Sequence, residues 1–197
     1  MAPLPTVFPA GGCGVSTSFP INSPADRASF PLSISGAGQR TAIGADLNAT
    51  FTAPGITVQT AQVNTQQDAK LATWTGAATL AARNAPGRAM VVPTAAATRA
   101  VLRFDTIVSQ APQGKVAIAM QDASLPATAL FARLAGKGKQ TVKIPLACFT
   151  AKGVDLQRVD MPFAVTADAP FAAAFANIDI LGGAEGDADT LRCEAVQ

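Results

Sequence analysis

Asp68, Asp105, Asp122, Asp155 and Asp160 fall on stretches that pattern as strands and turns. Two carboxyls are the minimum equipment for general acid–base or glycosidic chemistry. Nothing in the sequence joins them to a mechanism. There is no His, which removes Ser-His-Asp triads, imidazole-ligated zinc and imidazole pH switches. Aspartates in such settings serve chiefly as solvated charges and turn caps, so no autonomous active site is expected. Glu185, Asp187 and Asp189 add three carboxyls in a Gly-rich stretch. They have the oxygen chemistry of Ca2+ ligands, but their spacing does not match an EF-hand loop. They read as an acidic tail, with no metal and no cofactor expected. Arg133, Lys137, Lys139 and Lys143 read as a solvated turn rather than an anion site.

Sugar recognition is the sharper chemistry. It asks for an aromatic ring beneath the apolar face of a pyranose, ringed by carboxylates, amides or guanidinium groups. The sequence has no Tyr and a single Trp, Trp74. A carbohydrate site would therefore be built on Trp74 with Asp68, Gln67, Arg103 and Asp105 as polar neighbours. A lone Trp in a strand serves equally as a core or interdomain anchor. One Trp offers little stacking surface, which favours the packing role.

Three cysteines, Cys13, Cys148 and Cys193, lie far apart without CxxC spacing, so no metal cluster is expected. Cys13 and Cys193 stand near the two ends in polar, Gly-rich surroundings, and domain ends commonly meet in space. A Cys13–Cys193 bridge is expected in an oxidising compartment, the other reading being two unpaired surface thiols. Cys148, flanked by Leu146, Ala147 and Phe149, reads as a small buried hydrophobe.

The elements that would position these residues are strands. Phe30, Leu32 and Ile34 alternate with Ser and Pro, and Ile56 and Val58 alternate with Thr57 and Gln59. The same period governs Ala100, Leu102 and Phe104, then Val116, Ile118 and Met120, then Val142, Ile144 and Leu146. A period of two places one face in a core and the other in water. Turn signals separate the runs at Pro54-Gly55, Pro86-Gly87, Pro112-Gln113-Gly114 and Gly136-Lys137-Gly138. Many short strands at this spacing predict an all-β antiparallel sandwich or jelly roll. One short helix is expected from Ala127 through Leu134, with Pro126 at its first position and Gly136 just past its end. The Ala-rich stretch 168–176 alternates at Phe171, Ala173 and Phe175 and reads as strand. The Pro/Gly/Ser-rich opening through Pro24 reads as an extended surface linker.

Composition narrows the class. The chain has 197 residues, 49% hydrophobic and 14% charged, with 16 Gly and 14 Pro. That is too apolar for disorder, too rich in Gly and Pro for a helix bundle, and suited to one domain. The net charge of +2 is spread along the chain, so no nucleic acid partner is expected. No apolar run approaches the roughly 18 residues of a membrane span, and Met1–Pro5 lacks the basic and apolar regions of a signal peptide. The sequence reads as a globular piece of something larger.

An ordered set of motifs points further. Met120 ends a strand, and Leu146-Ala147-Cys148-Phe149, Gly153-Val154-Asp155-Leu156, Pro162-Phe163 and Ile178-Asp179-Ile180 follow. Upstream stand Gln67-Asp68-Ala69 and Trp74-Thr75-Gly76. This set resembles the C-terminal accessory domain of bacterial exo-β-glucanases and β-glucosidases of glycoside hydrolase family 3. Val7-Phe8-Pro9-Ala10-Gly11 and Gly14-Val15-Ser16 look like a diverged form of the segment that ends that family's second catalytic domain. The resemblance departs at two places. Gln121-Asp122-Ala123 stands where relatives carry a Cys-containing loop, so no partner for Cys148 is expected there, and Cys13 stands where the linker motif has an aromatic residue.

The resemblance implies a galactose-binding-domain-like β-sandwich with one or two short helices. It divides the chain into a linker from a preceding catalytic domain at 1–24, the jelly roll at 25–183 and a C-terminal tail at 184–197. It implies a non-catalytic domain that supports the catalytic domains of the same parent chain, with weak β-glucan contact. The parent would be a periplasmic or extracellular glycoside hydrolase whose catalytic carboxyls lie in its other domains. Two alternatives stay open: an autonomous carbohydrate-binding module, and an exported sandwich with an unrelated protein partner.

Overall fold

The computed structural model describes residues 18–22, 30–85 and 87–197. Two antiparallel sheets face each other. The first has seven strands: β1 (Ser18–Asn22), β4 (Phe51–Ala53), β5 (Ile56–Ala61), β6 (Ala69–Trp74), β8 (Val101–Gln110), β11 (Lys139–Pro145) and β13 (Phe171–Leu181). Its order is β11-β8-β13-β6-β5-β4, with β1 added beside β13. The second has six strands: β2 (Leu32–Gly36), β3 (Gln39–Ala42), β7 (Ala78–Ala82), β9 (Val116–Met120), β10 (Ala123–Pro126) and β12 (Phe163–Ala167), in the order β10-β9-β12-β7-β2-β3. The all-β sandwich read from the period-two pattern is the architecture observed.

The core lies between the sheets, where the alternating apolar residues meet. Leu102 and Phe104 of β8, Phe175 and Ile180 of β13, and Val58 of β5 oppose Ile34, Leu80, Ile118 and Val165. Aromatic rings tie the layers: Phe104 meets Phe163 at 5.4 Å between centroids, and Phe163 meets Phe175 at 5.8 Å. Each such side chain contributes about 1.5–3 kcal/mol on burial. Gly36 is required by close approach. A Cβ there would stand 1.8 Å from the Pro54 carbonyl oxygen, where the loop joining β4 to β5 crosses the end of β2.

Four short helices complete the described chain: α1 (Thr94–Ala97), α2 (Thr128–Leu134), α3 (Ala147–Thr150) and α4 (Cys193–Val196). α2 is the helix expected from the 127–134 spacing, and it delivers Leu130 and Phe131 to the core. Pro126 ends β10 instead of opening the helix. The other three are four-residue turns of helix, too short to show a 3.6-residue period, so four helices replace the expected one or two. No helix among the described residues is long and apolar enough to cross a membrane.

Residues 18–22 and 184–197 hold more structure than the sequence suggested. Within the stretch expected as linker, Ser18–Asn22 forms a strand on β13, with Phe19 and Ile21 turned into the core. Pro20 is tolerated because β1 is an edge strand, where an amide donor can be missing. The stretch expected as an acidic tail is held down. Lys143 Nζ donates to Asp187 Oδ2 at 3.0 Å and to Asp189 Oδ1 at 2.8 Å, and Val196 is buried in the core.

The disulfide expectation is overturned. Cys193 pairs with Cys148, with Cα atoms 5.5 Å apart; Cys13 lies outside the described residues. Cys148 is buried, as its apolar neighbours implied, but α3 presents its sulfur to α4, which a local sequence pattern does not reveal.

Candidate functional site

The outward residues of the seven-stranded sheet carry the polar side chains. The centre of this face is β13. Its first half pairs with β6, its second half with β1, and β8 runs along its other side. Between Ala176 and Asp179 the register against β8 shifts, and Asn177 takes φ +49°. Asn is among the few non-glycine residues that adopt this left-handed conformation readily. A bulge of this kind re-aims side chains, and here both Asn177 and Asp179 line one groove.

That groove encloses about 430 Å3 between β1, β13, β8 and β11. Arg103 and Asp179, paired across β8 and β13, form a two-pronged ion pair: Nε donates to Oδ1 at 2.9 Å and a terminal nitrogen to Oδ2 at 2.5 Å. Asp105, one step along β8, accepts from Thr141 at 2.6 Å, and from Asn64 and Asn177 at 3.0 Å each, with the Lys139 ammonium 3.9 Å away. Burial alone would raise the Asp105 carboxyl. The bonds from Thr141, Asn177 and Asn64, with the Lys139 charge, outweigh it and hold the group below the ordinary 3.8.

Of the residues proposed for sugar contact, Arg103 and Asp105 meet in this groove. The other three do not. Trp74 is 1% exposed, stacks on Phe171 at 5.1 Å between centroids and donates from Nε1 to the Ala78 carbonyl at 3.0 Å. It is therefore an anchor of the core, and no sugar ring can reach it. Asp68 and Gln67 line a separate cavity of about 160 Å3 with Asn22, Leu32, Ile43 and Phe175. Asp68 organises the loop before β6, accepting backbone N–H bonds from Val63, Asn64 and Thr65 at 2.8, 2.8 and 3.0 Å. Burial raises its carboxyl, and those bonds bring it below 3.8.

Lys139, Thr141, Asn177 and Asp179 were not anticipated as site residues. The alternation of β11 places Lys139 and Thr141 on the outward face, and pairing sets Thr141 opposite Asp105. The bulge that delivers Asn177 has no signature in the sequence.

The remaining candidate carboxyls are scattered. Asp122 and Asp155 border a depression with Lys152 and Arg158, and Asp160 borders another beside Gln121. Asp187 and Asp189 are both committed to Lys143. Among the described residues no group of three or more metal-ligating side chains is assembled.

The outward face of the six-stranded sheet is different. Two rows cross all six strands: Ala42, Ser33, Ala81, Ala164, Ala119 and Ser124, then Arg40, Ser35, Thr79, Thr166, Ala117 and Pro126. Apart from Arg40 at the edge, every member is small and uncharged.

The sequence profile of the Exop_C family, described as galactose-binding domain-like, matches residues 30–180. The chain belongs to the Exop_C family. Among solved structures, the Exop_C fold seen here is similar to an exo-1,3/1,4-β-glucanase from a Pseudoalteromonas species. The TM-score is 0.66 at 14% identity, over 82% of this chain and 20% of that one. The chain thus spans about a fifth of that glucanase. It is similar also to the separately determined extra C-terminal domain of the same enzyme, with a TM-score of 0.65 at 14% identity, over 82% of this chain and 90% of that one. Likeness at this identity establishes the fold. No curated protein matches the chain.

Proposed function

We propose that this Exop_C domain is a non-catalytic accessory domain of a larger glucan-hydrolysing enzyme of glycoside hydrolase family 3. It would support the catalytic domains, with weak β-glucan contact as a second role. The match over residues 30–180 carries the reading. The site chemistry agrees with it. The groove's two carboxyls, Asp105 and Asp179, are each occupied by internal bonds, which leaves neither poised as a general acid or nucleophile. The two rows of small residues on the six-stranded sheet, uncharged but for Arg40 at the edge, suit close packing against another domain. The Cys148–Cys193 bridge suits an oxidising compartment and hence an exported parent. The polar groove favours, as a second reading, an autonomous carbohydrate-binding module.

Two observations test the first reading. Purified chain should leave aryl β-glucosides intact, and the neighbouring coding sequence should encode a barrel with a catalytic Asp. Turnover that vanishes on replacing one Asp, or a neighbouring sequence without a hydrolase, contradicts it.

A further inference from the structure

The groove's charges cancel. Arg103 and Lys139 supply two cations, Asp105 and Asp179 two anions, and the adjacent Lys143 is outnumbered by its two partners, Asp187 and Asp189. The lining has no net charge to draw in an ion, and its flank leaves no surplus cation for an anion. The polar capacity left after the internal bonds is mixed. The Lys139 ammonium donates no hydrogen bond among the described residues, and its side chain is 46% exposed. Arg103 retains its second terminal nitrogen, since Nε and the other are taken by Asp179. Asn177 uses its amide nitrogen on Asp105 and keeps its carbonyl oxygen, and Thr141 donates its proton to Asp105 and keeps acceptor capacity.

Donors and acceptors interleaved along one groove match a ligand whose every group both donates and accepts, which is the chemistry of hydroxyls. Ring stacking is absent from the recognition. Among the described residues no aromatic side chain lines the groove, and the described aromatic pairs lie within the core or against it. The volume lies within the roughly 300–1,000 Å3 of small-ligand sites.

We infer that the groove between β1, β13, β8 and β11 binds an uncharged, hydroxyl-rich glycan edge-on, through hydroxyl hydrogen bonds to Lys139, Arg103, Asn177 and Thr141. The inference rests on the glycan-associated reading above and adds the ligand's charge class and its contacts. Because stacking is missing, the affinity is low, with a dissociation constant on the order of 1 mM.

The test is a titration of the isotopically labelled 197-residue chain, followed by amide resonances, with laminaritetraose and cellotetraose as neutral probes and trigalacturonate as the anionic one. Saturable shifts at Thr141, Asn177 and Asp179 with a neutral probe, weaker with trigalacturonate, are expected. Lys139→Met keeps the aliphatic stem and removes the donor, and should weaken binding about tenfold, the worth of one charge-assisted hydrogen bond. Asn177→Gly, which tolerates the positive φ, should weaken it similarly. No shift with either neutral probe, an equal or stronger response to trigalacturonate, or shifts outside the groove would each overturn the inference. A silent groove beside an encoded hydrolase would leave the accessory-domain reading standing. Groove binding without such a neighbour would overturn that reading alone.

Discussion

Asp68 and Asp105 are joined through one residue, Asn64. Its backbone N–H donates to Asp68 Oδ2 at 2.8 Å and its side-chain amide to Asp105 Oδ2 at 3.0 Å. Two aspartates 37 positions apart in the sequence numbering thus belong to one network: Asp68 fixes the loop, and the loop's Asn64 helps fix the groove.

Asp68 is accordingly a positioning residue for the groove. Asp68→Ala removes the acceptor of three backbone amides and should cost about 1–3 kcal/mol in urea unfolding. It should also shift the side-chain amide resonances of Asn64, and Asp122→Ala, at an exposed turn, should do neither. Unchanged Asn64 resonances in Asp68→Ala would show that the loop does not depend on this carboxylate.

The same carboxyls set an acid limit. Asp68 and Asp105 both titrate below 3.8 in the folded chain. A depressed native value stabilises the fold above the unfolded value and loses that contribution as the pH falls through the native one. The urea midpoint should hold down to about pH 4.5 and decline below about pH 4. Asp68→Asn should start lower and decline less steeply. A variant whose midpoint falls as steeply as the parent's would remove Asp68 from the account.

The Cys148–Cys193 bridge closes a 45-residue separation. Its removal by Cys193→Ser should cost about 4 kcal/mol on the chain-entropy account. Peptide mapping after oxidative folding should recover Cys148 linked to Cys193, and Cys13→Ser should leave stability unchanged. A Cys13-containing disulfide peptide, or a large loss in Cys13→Ser, would contradict the pairing.

Legibility in the sequence followed the range of the physics. Alternation is local, so the strands at Leu102–Phe104, Ile118–Met120 and Val142–Ile144 were visible, and Arg103 and Asp105 could be assigned outward from it. β1 was hidden because only Phe19 and Ile21 mark it amid Pro and Ser. Disulfide partners depend on where α3 and α4 meet, and groove membership depends on strand order and on a bulge at Asn177. None of these is a property of a sequence window. Trp74 was the most conspicuous candidate because it is the only Trp, and that same size is why the core holds it.

The proposed glycan contact falls in the polar groove and not on the tryptophan. Calorimetric titration of laminaritetraose into the parent chain, Trp74→Phe and Lys139→Met separates the two locations. Trp74→Phe keeps an aromatic ring against Phe171 and should bind as the parent does, while Lys139→Met should lose about tenfold in affinity. Binding abolished in Trp74→Phe and unchanged in Lys139→Met would contradict the account.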